Sequence, residues 1–185
     1  MVKKLSLSLM GVLIVLYAIN LPLAWGEIKE GAQLGNVQFS KPLSADDQKY
    51  LGLSSDGPFT LSQVNAPYVL VEIFGSMCTH CMAQAPTMNK FYNLVSQDAK
   101  LAGKLKFIAL GSNDNPIATT MFRKTNKMPF PAVADEDGSI TKKFDIPGTP
   151  TTVILDKSGK VVLVHVGAFE NPDEFLKQVK SKLKL

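Results

Sequence analysis

The apolar positions of the chain fall into short runs divided by polar turns, and two periods alternate along it. Tyr68-Val69-Leu70-Val71-Glu72-Ile73-Phe74 is apolar and β-rich, broken only by Glu72, which predicts a strand buried at the centre of a sheet. From Cys78 to about Ser96 the period changes: Met88, Phe91, Tyr92 and Val95 recur at helical spacing. Leu105–Leu110 predicts a second buried strand, closed by the turn-rich stretch Gly111–Pro116. A helix over Ile117–Asn126, a short strand over Phe130–Ala134 and a short helix over Ser139–Phe144 follow. Thr151–Leu155 and Val161–Val166 read as strands joined through Asp156-Lys157-Ser158-Gly159-Lys160, a hairpin signal. The last helix begins at Asn171-Pro172-Asp173-Glu174, a residue suited to capping followed by proline in the first turn. Lys177, Lys180, Lys182 and Lys184 sit towards its C-terminus, where the dipole favours them. This order of elements predicts a layered α/β domain.

The N-terminal third is different. Lys3 and Lys4 precede a largely apolar stretch from Leu5 to Ala24, and Ala24-Trp25-Gly26 places small residues at the −3 and −1 positions of a cleavage site. Residues 1–26 therefore read as an export leader, placing the protein in the periplasm or on an extracytoplasmic face. Leu5–Leu23 approaches the length of a spanning helix, so the leader also has a reading as an uncleaved anchor. Ser6, Ser8, Asn20 and Pro22 favour cleavage. Residues 27–56 are polar and rich in turn formers, with Phe39 and Leu51-Gly52-Leu53 as isolated apolar points. They predict a lead-in draped over a domain spanning 57–185.

Charge excludes one class of function. Net charge is +4, and without Lys3 and Lys4 there remain 18 basic against 16 acidic side chains. No Lys/Arg cluster interleaved with aromatics marks a nucleic-acid face.

Cysteine usage is the sharpest signal. The chain has two cysteines, and they form one CxxC, Cys78-Thr79-His80-Cys81. A structural disulfide gains from closing a longer loop. A zinc site needs four ligands, whereas the second of two histidines, His165, lies far beyond Cys81. No metal and no cofactor is expected, and the pair points to thiol–disulfide exchange. Cys78 at a helix start would be held as thiolate by unpaired N–H groups and the dipole. Cys81, one turn further in, would resolve a mixed disulfide by attacking Cys78. A cationic His80 between them would further favour the thiolate, stabilising the reduced pair and making the disulfide more oxidising.

The run Val69–Cys81, with Pro86 five residues on, resembles the active-site strand and helix of thioredoxins, and Gly148-Thr149-Pro150 with Thr151–Lys160 resembles their cis-proline loop and hairpin. More narrowly, the chain is similar to the TlpA/ResA-like branch of exported thioredoxin-like proteins. Pointers are the leader, the segment Pro58-Phe59-Thr60-Leu61-Ser62, and extra sequence between the active-site helix and the loop.

The resemblance implies a thioredoxin fold with an α/β insertion there, covering about residues 57–185. It implies that Pro150 is the cis-proline, that Thr149 offers backbone groups to a substrate strand, and that Glu72 is a buried acid behind the cysteines. On an apolar strand such a carboxyl should have a raised pKa and accept the Cys81 proton. Pro86 would kink the helix. Protein thiols and disulfides would be the substrates, a membrane redox partner would reset the pair, and the protein would act as a monomer. Met77 replaces the tryptophan of thioredoxins, and Gln84 stands where many of the branch carry an acid.

Two further functions fit parts of the sequence. A thiol peroxidase would use a similar α/β unit, although its peroxidatic cysteine usually follows Pro and Ser/Thr at fixed offsets, where this chain has Val71, Ile73 and Phe74. A copper chaperone would use Cys78, Cys81 and an imidazole.

Overall fold

A computed structural model describes residues 27–41 and 44–185. The expected leader lies outside them. The elements run β1 (Gln38–Phe39), α1 (Ala45–Leu51), β2 (Phe59–Thr60), β3 (Tyr68–Phe74), α2 (Thr79–Gln97), β4 (Leu105–Ser112), α3 (Pro116–Thr125), β5 (Ala132–Asp135), α4 (Ser139–Phe144), β6 (Thr151–Asp156), β7 (Val161–Val166) and α5 (Pro172–Leu183).

Five strands form one mixed sheet in the order β5-β4-β3-β6-β7. β3 lies at its centre, parallel to β4 and antiparallel to β6. Burial on both faces is why its sequence is continuously apolar rather than alternating. Leu70 and Phe74 pack beneath α2 and α5 with Met88, Phe91, Phe175 and Val179. Val69, Val71 and Ile73 face the other way, towards Phe39, Leu51, Leu61, Ile140 and Phe144. Phe91 anchors the first layer, its ring 4.9 Å from Phe175 and 5.8 Å from Phe169.

β4 runs past its expected end. β4 continues through Gly111 and Ser112, which pair with Ala134 and Asp135 of β5. Ladder pairing, not side-chain hydrophobicity, holds that end. α2 runs without interruption across Pro86, whose missing N–H leaves the Met82 carbonyl without its helical donor. α1 was not anticipated. Ser44 caps it by accepting the Asp47 amide, and Gly52 closes it in the left-handed region at φ 73°.

Residues 28–40 cross the second face of the sheet from edge to edge. Gly31 donates its amide to Val161 O, and Val161 donates to Ala32 O, both at 2.8 Å. Gln33 bridges antiparallel to Lys160 beside the β7 edge. Gly159 has φ 80°, and a Cβ there would meet Gly35 O at 1.8 Å, so this approach requires glycine. Val37 and Phe39 are then buried under the sheet, and at the opposite edge the Ser40 hydroxyl donates to Ala134 O on β5.

Candidate active site

β3 delivers the chain to a tight turn, Gly75-Ser76-Met77, and Cys78 follows as the N-cap of α2. The turn is held from two sides. Cys78 donates its amide to Gly75 O at 3.0 Å. Asp114, in the loop after β4, accepts the Ser76 amide at 2.7 Å and the Ser76 hydroxyl at 2.6 Å. Met77 is 89% exposed beside the cysteines.

Cys78 and Cys81 form a disulfide with Cα atoms 5.2 Å apart. Cys78 is partly exposed and Cys81 is buried, an asymmetry that suits an attacking and a resolving sulfur. The Cys81 amide donates to Cys78 Sγ at 3.1 Å. In the reduced protein that donor would stabilise a thiolate, adding to the open helix terminus. His80 is exposed on the first turn of α2.

The Thr149–Pro150 bond is cis. Its loop faces the disulfide, with Thr149 O 3.5 Å from Cys78 Sγ. The loop is fixed by the Thr151 hydroxyl, which donates to Gly148 O at 2.7 Å, and by the Gly167 amide, which donates to Pro150 O at 2.8 Å. Cys78, Thr149 and Pro150 are thus brought together across 71 residues.

Glu72 is 4% exposed, on the face of β3 that lies beneath α2. Gln84 Nε2 donates to its Oε1, and the Thr152 hydroxyl donates to its Oε2, each at 2.6 Å. Burial pushes the Glu72 carboxyl up to about 8, and the two hydrogen bonds only partly oppose that. Gln84 is itself buried, and its Oε1 accepts the Phe169 amide at 3.1 Å. Cys81 and Gln84 are three residues apart on the buried face of α2, so one helix stripe carries the buried sulfur and the partner of the acid. Among the described residues no group of three or more His, Cys, Asp or Glu side chains could hold a metal ion. His165 sits instead on β7, edge-on to Phe169 and Phe175.

The Redoxin family model matches residues 40–180. The chain belongs to the Redoxin family. Among curated relatives, this redoxin is 29% identical over 113 residues to the thiol-disulfide oxidoreductase ResA of Bacillus thuringiensis subsp. konkukian, covering 60% of this chain. The matched segment spans 62% of that relative's length. Among solved structures, a Chlorobium tepidum protein assigned as a thiol:disulfide interchange protein DsbE superposes with TM-score 0.65 at 20% identity, over 85% of this chain and 99% of that one. A secreted Mycobacterium tuberculosis disulfide oxidoreductase homologous to E. coli DsbE gives TM-score 0.57 at 17% identity, over 78% and 94%. The fold is thioredoxin-like.

Sequence reasoning missed Asp114, Thr152 and the role of Gln84. Gln84 alone left a local signal, its helical offset from Cys81. Asp114 and Thr152 reach the site from 38 and 80 residues away.

Proposed function

We propose that this protein is an exported thiol–disulfide oxidoreductase that exchanges electrons between the Cys78–Cys81 pair and cysteines of other proteins. The observation that carries the reading is Cys78 at a helix N-cap, with the Cys81 amide on its sulfur and the carbonyl before a cis-proline facing it. The ResA relative, a thiol-disulfide oxidoreductase by name, supports it.

In the reducing direction the Cys78 thiolate attacks one sulfur of a substrate disulfide. A Cys78–substrate bond forms, and the other substrate sulfur leaves as thiolate and takes a proton. Glu72 in its ionised form accepts the Cys81 proton, and the Cys81 thiolate attacks Cys78 Sγ. The Cys78–Cys81 bond forms, the second substrate sulfur leaves, and two electrons have passed to the substrate. Oxidation of a substrate dithiol is the reverse sequence. Thr149 offers its backbone to an extended substrate segment, aligning the target sulfur with Cys78.

The apolar leader behind Lys3 and Lys4 supports export, and outside the cytoplasm a membrane partner would reset the pair. The deciding measurement is a redox titration coupled to a disulfide-reduction assay. Cys78→Ser should abolish exchange, and Cys81→Ser should accumulate mixed disulfides through Cys78. Full turnover by Cys81→Ser would refute the assignment. The midpoint potential sets direction: about −270 mV marks a reductase and about −120 mV an oxidase.

A further inference from the structure

A proton accepted by Glu72 is enclosed. The carboxyl lies between Gln84 on α2 and Thr152 on β6, and its neighbour on β4 is Ala109. The cross-strand registers continue that row outward: Glu72 pairs with Thr152, and Thr152 pairs with His165 on β7. The same face carries all three, since Thr152 bonds Glu72 and His165 packs on Phe169 and Phe175 of the α2/α5 layer. His165 Nε2 is buried without a hydrogen-bond partner among the described residues. Beyond the ring opens a cleft of about 480 Å³, lined by His165, Glu170, Asn171, Glu174 and Gln178 as well as the two phenylalanines. A buried imidazole nitrogen left unpaired needs an explanation, and packing alone would have been served by an apolar residue.

We infer that Thr152 and His165 form the proton exit of the active site, carrying the Glu72 proton along the sheet to water in the cleft beside α5. The inference rests on the exchange reaction proposed above. The Glu72 Oε2–H bond breaks as Thr152 Oγ1 takes that proton. The hydroxyl releases its own proton to the His165 ring, and the ring releases one to water. The bonds and protons balance, with no electron moved. Thr152 and His165 make no direct hydrogen bond in the oxidised protein. Directly opposed residues hold their Cβ atoms roughly 5 Å apart, a gap that one water or a turn of the imidazole spans. Imidazole is the side chain suited to receive and release protons at neutral pH. Glu170 and Glu174 are the charged groups lining the cleft. Thr152 and His165 are positioning residues here, acting through Glu72.

Stopped-flow mixing of the reduced protein with an aromatic disulfide that releases a coloured thiol separates two phases: Cys78 attack, then Cys81 resolution. His165→Phe, which keeps the packing, should leave the first phase intact and slow the second about tenfold, less than the 10²–10⁴ of losing a general base. Thr152→Val should slow the second phase likewise, and Thr152→Ser should restore it. In His165→Gly, added imidazole should restore the second phase in proportion to its concentration, whereas in Thr152→Val it should have no effect. A wild-type second phase in His165→Phe, or a slow His165→Gly that imidazole does not rescue, overturns the proton exit. If wild-type protein releases no thiol at all, the oxidoreductase reading itself fails, a different outcome.

Discussion

Gln84 grips the Glu72 carboxyl from one side and the Phe169 amide from the other, at 2.6 and 3.1 Å, so a neutral amide joins the active-site helix to the acid on the central strand and to the loop before α5. Both ends of the side chain are buried and paired. Gln84→Leu should strip one donor from Glu72 and leave the Phe169 amide unpaired. A loss of about 1–3 kcal/mol is expected, read from the urea midpoint at pH 7. The Glu72 carboxyl should also titrate higher, followed by the infrared band of its protonated form. An unchanged urea midpoint would mean that water replaces the amide at no cost.

Glu72 makes stability depend on pH in a calculable direction. Its carboxyl titrates at about 8 in the folded protein against an ordinary 4.5, so between those values the folded state holds a proton that the unfolded state has lost. Stability therefore falls as pH rises through this window, by on the order of 5 kcal/mol when complete. Glu72→Gln should flatten the decline and be the more stable protein at pH 8, while resolution by Cys81 slows. Parallel curves of melting temperature against pH for the two proteins would show that Glu72 ionises freely.

His80 tests the direction of electron flow. Its charge would act on the Cys78 thiolate, which exists only in the reduced protein. His80→Pro is tolerable in a first helical turn. It should raise the pH at which thiolate absorbance appears and make the pair more reducing, by on the order of 30–60 mV for one to two pKa units. Equilibration with glutathione reads the potential. A fixed potential makes His80 a bystander.

The Asp114 carboxylate holds the turn that presents Cys78. Asp114→Ala removes both bonds to Ser76, and about 1–3 kcal/mol of stability should go with them. The first, Cys78-dependent phase of exchange should slow more than the second. Equal slowing of both phases would indicate general loosening of the fold.

Much of this protein was legible along the chain because its decisive patterns are local. The run 68–74 announces a strand covered on two faces, and the cysteine spacing announces a sulfur pair at a helix start. The unread parts depend on distant partners. Gly111 and Ser112 join β4 through β5 rather than through any apolarity of their own. α1 is seven residues long and buries only Asp47 and Leu51, too few for a helical period to show. At the site, Cys78 and Cys81 could be singled out as candidates by spacing, and Thr149 and Pro150 through family resemblance. Asp114 and Thr152 could not, because nothing near them in sequence distinguishes them from ordinary loop and strand residues.

The strap formed by residues 28–40 has a consequence for solubility. A five-stranded sheet is roughly 19 Å across at 4.7–4.9 Å per strand, and the seven steps of chain from Gln33 to Ser40 reach about 23 Å when extended. One short segment therefore arrives at both margins of the sheet, beside β7 through Gln33 and on β5 through Ser40. Margins with unpaired N–H and C=O groups are templates for pairing with other chains. Here one short segment occupies one point on each margin, Val161 through the backbone of Gly31 and Ala32 and Ala134 through the Ser40 hydroxyl, so the two points are also unmasked together. A proteolytic nick or substitution that released it would expose both points at once, each a place where another strand can begin to pair.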